Sequence, residues 1–137
     1  MAKIVLIPCV SKKQSSKAKA KDLYTSPLFK YGLKYALSLS PDKIFILSAK
    51  HGLLELEKEI EPYNETLNKM PSKTIKEWAD NVLKELNTKT NIKNDEFIIL
   101  AGEKYRKYLL PSLSKYKLPL QGLGIGKQLQ FLKARTK

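Results

Sequence analysis

Three short runs, Ile4-Val5-Leu6-Ile7, Ile44-Phe45-Ile46-Leu47 and Phe97-Ile98-Ile99-Leu100, are apolar at every position rather than at alternate ones. A strand with one face in water alternates apolar and polar residues, so an unbroken run of this length suits a strand covered on both faces. Strands covered in this way pair in parallel, and parallel neighbours need crossover connections, which are usually helices. The intervening sequence supplies them. Ser26 is placed as an N-cap with Pro27 at the first helical position, and Leu28, Tyr31, Tyr35 and Leu39 follow near helical spacing until Pro41. From Ser72 to Leu86 a second helix carries Ile75, Trp78, Ala79, Val82, Leu83 and Leu86 on one broad face.

After the third run, Gly102 turns the chain into a helix from about Glu103 to Leu110, which Pro111 halts. Lys117 to Gln121 reads as a weaker fourth strand, and a last helix begins near Ile125. The expectation is one α/β domain over residues 1–137: three layers, α/β/α, around a mainly parallel sheet of about four to five strands. Cys9 to Ala20 reads as a polar, lysine-rich loop. His51 to Pro71 is longer than ordinary connections, which marks it as a functional loop or a covering flap.

A chain of 137 residues can bury a full core without a covalent staple. Its single cysteine excludes an internal disulfide, and with a single histidine it leaves too few soft ligands for structural zinc. No metal or cofactor is expected. Met1-Ala2-Lys3 and the short apolar run after it are too brief for a signal peptide, and no run approaches the roughly 20 residues of a membrane span. A reducing cytoplasm is the simplest location, with no membrane association. The sequence is silent on oligomeric state.

The formal charge is +13 and is unevenly spread. Residues 1–50 carry ten lysines against two acids and residues 101–137 nine cations against one acid, while the middle is net negative. Both basic thirds suit a polyanion partner. Lysine supplies 24 of the 26 cations, however, and recognition of phosphates and bases usually recruits arginine; a lysine excess also serves solubility.

If the sheet is parallel, the segments following four strands open on one edge, where ligands of open α/β sheets bind. The first offers Cys9, Ser11, Lys12 and Lys13. Neighbouring cations favour a thiolate, so Cys9 is a candidate nucleophile, though most free cysteines are small, partly buried hydrophobes. The second, Ser48-Ala49-Lys50-His51-Gly52, supplies His51 as a general acid or base and Lys50 as a partner for negative charge. Tyr63, stiffened by Pro62, is a stacking surface, a hydroxyl donor or a core plug. The third holds Gly102 and Tyr105. The fourth, Gly122 to Lys127, sets Gly124, Gly126 and Lys127 at a helix start, where free N–H groups favour an anion. Its spacing matches neither a Walker loop nor Gly-x-Gly-x-x-Gly. Glu55, Glu57, Glu59, Glu61 and Glu65 read as a solvated face rather than a cation site.

Taken together, Leu47-Ser48-Ala49-Lys50-His51-Gly52-Leu53-Leu54, Glu61-Pro62-Tyr63, Trp78 and Leu100-Ala101-Gly102-Glu103-Lys104-Tyr105 resemble the peroxide-stress YaaA family. His51 stands where that family has tyrosine, and Asp22-Leu23-Tyr24-Thr25 is similar to its Val-Tyr-Thr-Gly. The chain resembles still more closely a related family of short uncharacterised bacterial and phage domains. That likeness rests on Pro8-Cys9-x-Ser11-Lys12, Leu23-Tyr24-x-Ser26-x-Leu28-Phe29 and Gly124-Ile125-Gly126, and runs from about Ile4 to Leu132. Pro8-Cys9 with Lys13, and Tyr24 with Ser26, are also similar to the Pro-Cys motif of archaeosine synthase. The YaaA resemblance implies DNA binding and protection from oxidative damage, and the archaeosine synthase motif implies a pocket suited to a purine-like base.

The functional expectation is a pocket at the carboxyl ends of the strands that binds a nucleotide, a nucleobase or a nucleic-acid end, with base-modification or repair chemistry within its reach. Lys12 and Lys50 would hold phosphate, Tyr24 or Tyr63 would stack on the base, Ser26 would line the pocket and His51 would carry the proton. The alternative is a non-catalytic DNA-binding module, in a stress or phage context, whose spread lysines contact backbone phosphates.

Overall fold

The computed structural model describes residues 1–10 and 12–136. Among these, the strands are β1 (Lys3–Pro8), β2 (Ala18–Lys19), β3 (Lys43–Ser48), β4 (Gly52–Glu55), β5 (Glu59–Ile60), β6 (Glu96–Ile99) and β7 (Lys115–Lys117). The α-helices are α1 (Ala20–Leu23), α2 (Pro27–Ser38), α3 (Ser72–Lys89), α4 (Glu103–Arg106) and α5 (Ile125–Arg135). A five-stranded sheet runs in the order β4-β3-β1-β6-β7, and β2 pairs with β5 in a small separate ribbon.

The three apolar runs form the centre of the sheet. β1 lies parallel between β3 and β6, with Val5 opposite Ile44 on one side and Ile98 on the other, and β7 continues the parallel set beside β6. Side chains alternate across a strand, so each run feeds two cores. Ile4, Leu6, Phe45, Leu47, Phe97 and Ile99 pack with Ile75, Trp78, Ala79, Val82 and Leu86 of α3. Val5, Ile7, Ile46, Ile98 and Leu100 pack with Phe29 and Ala36 of α2 and Leu132 of α5. Fully burying each such side chain is worth about 1.5–3 kcal/mol, which is what makes the unbroken apolar runs obligatory. The three α/β/α layers follow directly.

The helix signals act as read. Ser26 caps α2 by accepting a hydrogen bond from the Phe29 N–H at 3.2 Å, with Pro27 opening the helix. No helix among the described residues is long and apolar enough to cross a membrane.

Three expectations need correction. The stretch from His51 is not wholly irregular: β4 folds back antiparallel on β3, pairing Ser48 with Gly52 and Leu47 with Leu53, so the sheet is mixed at one edge while its four other strands stay parallel. The fourth parallel strand is Lys115–Lys117 rather than Lys117 to Gln121, because the Gln121 N–H bonds the Leu118 carbonyl in a turn. All three of its residues are exposed, so no apolar pattern announces it. The helix after Gly102 stops at Arg106, where the Leu109 N–H bonds to Arg106 and tightens the chain before a 3₁₀ turn, Leu110–Ser112, that takes up Pro111. The acidic residues of the long segment are engaged in part: Glu57 meets Lys19 at 3.0 Å and Lys21 at 2.8 Å, and Glu55 meets Lys89 at 3.1 Å, all at exposed positions.

Candidate functional site

Because β1, β3 and β6 are parallel, their carboxyl ends place Cys9, Ser48 and the Leu100-Ala101-Gly102 segment on one edge. Ser48, fully buried, is the hub. Its hydroxyl donates to the Tyr63 hydroxyl at 2.8 Å and accepts the His51 backbone N–H at 3.0 Å, while its carbonyl accepts the Trp78 indole N–H at 2.8 Å. The Tyr63 hydroxyl is in turn 2.5 Å from that of Tyr24. Ser48 therefore fixes both the turn carrying His51 and the ring wall opposite it. Gly52 completes the turn at φ +71°, a conformation open to glycine, and a β-carbon there would meet the Glu85 carboxylate at 2.8 Å.

Tyr24 reaches the cluster because the chain after β1 returns alongside itself: Lys13 bridges Tyr24, the Gln14 N–H bonds the Leu23 carbonyl and the Thr25 N–H bonds the Lys12 carbonyl. The same return sets the Lys13 ammonium over the Tyr63 ring, 4.4 Å from its centroid, and 5.6 Å from that of Tyr24. The His51 ring meets Tyr63 edge-on at 5.4 Å. On the other side, the Cys9 N–H is tied to Leu47 of β3 at 3.1 Å and its thiol donates to the Tyr105 hydroxyl at 3.5 Å. Tyr105 packs edge-on against Trp78 at 5.6 Å and accepts the Leu67 N–H at 3.5 Å.

The electrostatics follow from burial. Desolvation pushes the hydroxyls of Tyr24 and Tyr63 far above the usual tyrosine range and that of Tyr105 to about 12, so all three remain neutral hydrogen-bonding groups at physiological pH. His51 is held below its ordinary value, first by desolvation and then by the charges of Lys50 and Lys58. Lys13 is also lowered by burial, against the opposing pull of Cys9 and Glu65. A neutral imidazole and a partly desolvated ammonium at the rim of a wall of neutral phenols form a setting that favours an incoming anion or hydrogen-bond acceptor.

Of the residues proposed from sequence, Cys9, Lys13, Tyr24, Ser48, His51, Tyr63 and Tyr105 come together here. Lys12 and Lys50, next to Lys13 and His51 in the chain, are exposed, and the charge of Lys50 acts on His51. Ser26 is engaged as the α2 cap, and Gly102 is the exposed N-cap of α4, one turn before Tyr105. Gly124, Gly126 and Lys127 are exposed at the start of α5, which follows β7 at the far side of the sheet, and two strands separate β7 from β3. Ser11 lies outside the described residues. Tyr24 and Tyr63 are 1% and 6% exposed, with Phe29 against one ring and Lys13 over the other, so neither offers a free stacking face, and their hydroxyls are engaged with each other and with Ser48. Trp78, read as core, both packs and orients Ser48; the signal was the indole itself, whose N–H seeks an acceptor when buried. Glu65, which acts on Lys13 and His51, carried no signal beyond its charge.

A family described as being of unknown function (DUF6884) matches residues 4–134. No curated protein and no solved structure matches the chain.

Proposed function

We propose, for a chain that belongs to this family of unknown function, that the carboxyl-edge cluster binds a nucleotide, a nucleobase or the end of a nucleic acid and acts on the base. The observation that carries this reading is the Lys13 ammonium held 4.4 Å over the ring of Tyr63, whose hydroxyl is shared with Ser48 and Tyr24. A cation on the ring face and neutral hydroxyls thus sit together on one side chain, and a phosphate or a base carbonyl is recognised by such groups. Lys12 and Lys50, next to Lys13 and His51 in the chain, are exposed cations that extend the attraction outward.

In this reading His51 carries the proton, since its depressed pKa leaves the imidazole neutral and able to accept one near pH 7. The half-buried Cys9 thiol, bonded to Tyr105, faces the ligand as the nucleophilic group. The similarity to the YaaA pattern supports the same location, because Ser48 to Gly52, Tyr63, Trp78 and Tyr105, which carry it, are the residues that meet at this edge.

The test is a thermal-shift panel of nucleobases including deazaguanines, nucleotides and short oligonucleotides, at low and moderate salt, on the wild type and Tyr63→Phe. A shift selective for one base or nucleotide, persisting at moderate salt and lost in Tyr63→Phe, is expected. A wild type with no selective shift, or a shift undiminished in Tyr63→Phe, would overturn the reading.

A further inference from the structure

The two outer layers of the sheet differ in charge. Helix α3, on one face, has four lysines (73, 76, 84 and 89) and three acids (Glu77, Asp80 and Glu85). On the opposite face, α2 and α5 pack side by side and carry Lys30, Lys34, Lys127, Lys133 and Arg135, with no acid on either helix. All five of these cations are exposed. None of the ion pairs found among the described residues involves them; those pairs use Lys19, Lys21, Lys89 and Lys117.

The face is more than a scatter of lysines. Tyr31 of α2 lies half-buried in the seam with α5, and two ammonium groups approach its ring, Lys34 at 5.8 Å from the same helix and Lys133 at 5.5 Å from the other. Arg135 stacks on Phe131 at 3.7 Å, and Phe131 meets Tyr35 of α2 edge-on at 5.7 Å. Aromatic packing thus brings cations from two helices onto one surface, against their mutual repulsion and with no acid on either helix. An external polyanion supplies that missing charge.

We propose that the α2/α5 face binds the phosphate backbone of a nucleic acid. Helix α5 spans 11 residues, about 16 Å at 1.5 Å per residue, an axial length over which one duplex strand presents about five phosphates. A membrane surface fits less well, since the exposed apolar residues of the layer, Leu37 and Ile125, sit at the last turn of α2 and the first of α5 and form no continuous stripe. The surface is distinct from the Ser48–Tyr63 cluster and does not depend on it.

The test measures affinity of the full chain for a labelled 20-base single strand and the matching duplex across a potassium chloride series. Wild type is compared with Lys34→Glu/Lys133→Glu and with Lys73→Glu/Lys76→Glu, which changes the charge of α3 by the same amount. The α2/α5 pair is expected to lose at least about tenfold in affinity at low salt and to flatten the log-log salt slope by about 1.8 on duplex, 0.9 for each phosphate contact removed. The α3 pair should lose no more than about threefold. Lys34→Ala/Lys133→Ala, with its circular dichroism matched to wild type, should repeat the direction at smaller size and guards against a folding defect. Equal losses from the two faces would overturn the proposal. So would absence of wild-type binding, or tighter binding to phosphatidylserine vesicles than to either nucleic acid. Tyr63→Phe should leave this salt-dependent binding intact, so failure here and failure of the base-binding site can be told apart.

Discussion

Both edges of the parallel sheet carry hydrogen-bonded polar side chains, Asp95 buried at one and Ser48 at the other, but the groups are used differently. At the amino edge, the Asp95 carboxylate accepts the Ala2 and Asn91 N–H groups, each at 2.8 Å, and Asp42 accepts the Lys3 N–H at 2.7 Å. Those side chains are spent on backbone, fastening the start of β1 to the loops before β3 and β6. At the carboxyl edge, Ser48, Tyr63, Tyr24, Cys9 and Tyr105 hydrogen-bond largely to one another. A polar group that closes a backbone valence is sufficiently explained by the fold. A set of hydroxyls and a thiol bonded largely to each other, with the Lys13 ammonium over the Tyr63 ring, is not explained by backbone valences alone, and the proposed site rests on that difference.

The largest expected effect tests the first half of this contrast. Asp95→Ala removes two charge-assisted hydrogen bonds and leaves two backbone donors without their partner, which should cost about 3 kcal/mol in urea denaturation. The thermal shift produced by a bound base or nucleotide should be unchanged in size. If Asp95→Ala abolishes that shift while the protein remains folded, the two edges are not separable.

Ser48→Ala tests the second half. The hydroxyl lost is the partner of both the Tyr63 hydroxyl and the His51 N–H, so stability should fall by about 2 kcal/mol, less than for Asp95→Ala, while the Trp78 bond to the Ser48 carbonyl survives. Ligand-induced stabilisation should disappear with it. A variant that loses stability yet binds as tightly as wild type would place Ser48 with the amino-edge carboxylates, as a fastening alone.

The contrast also explains what could be read in the sequence. The frame was legible because apolar runs such as Ile4 to Ile7 and capped helices such as the one opening at Ser26 and Pro27 are local signals with local causes. β7 was misplaced because Lys115–Lys117 is an exposed edge strand with no buried face to pattern it. β4 was missed inside His51 to Pro71 because the tight turn between Ser48 and Gly52 carries a polar Lys50-His51 pair that read as the start of a loop, and not as a hairpin returning on β3. For the proposed site, residue types and strand ends pointed to Cys9, Ser48 and His51, which the parallel strands β1 and β3 bring to one edge, whereas Tyr63 follows the separate β2/β5 ribbon and reaches them through its hydroxyl. The use of the tyrosines was not legible: whether a ring offers its face or its hydroxyl is decided by burial, and that depends on Phe29 and Lys13 arriving from other segments. The place of the α5 start was not legible either: it follows the parallel strand β7, two strands from β3, and glycine spacing carries no information about strand order.

The smallest effect lies in pH dependence, where the two edges should separate by window. His51 has its folded pKa below its ordinary 6.5, so the unfolded chain binds the proton more readily, and the associated stability, present above 6.5, is lost as pH falls through the folded value. Asp95 is held below its ordinary 3.8 by its two backbone donors, so its contribution persists through that range and is lost only as pH falls further. His51 is only partly buried and faces solvent screening, which limits its share to about a few tenths of a kcal/mol. Urea midpoints at pH 7.5, 6.5, 5.5 and 4.5 should therefore show a shallow decline in wild type that His51→Gln reduces and Asp95→Asn does not. Affinity for an anionic nucleotide should move the opposite way, rising as His51 protonates beside Lys13. Stability and affinity sloping in the same direction over that range would mean that His51 does not face the ligand.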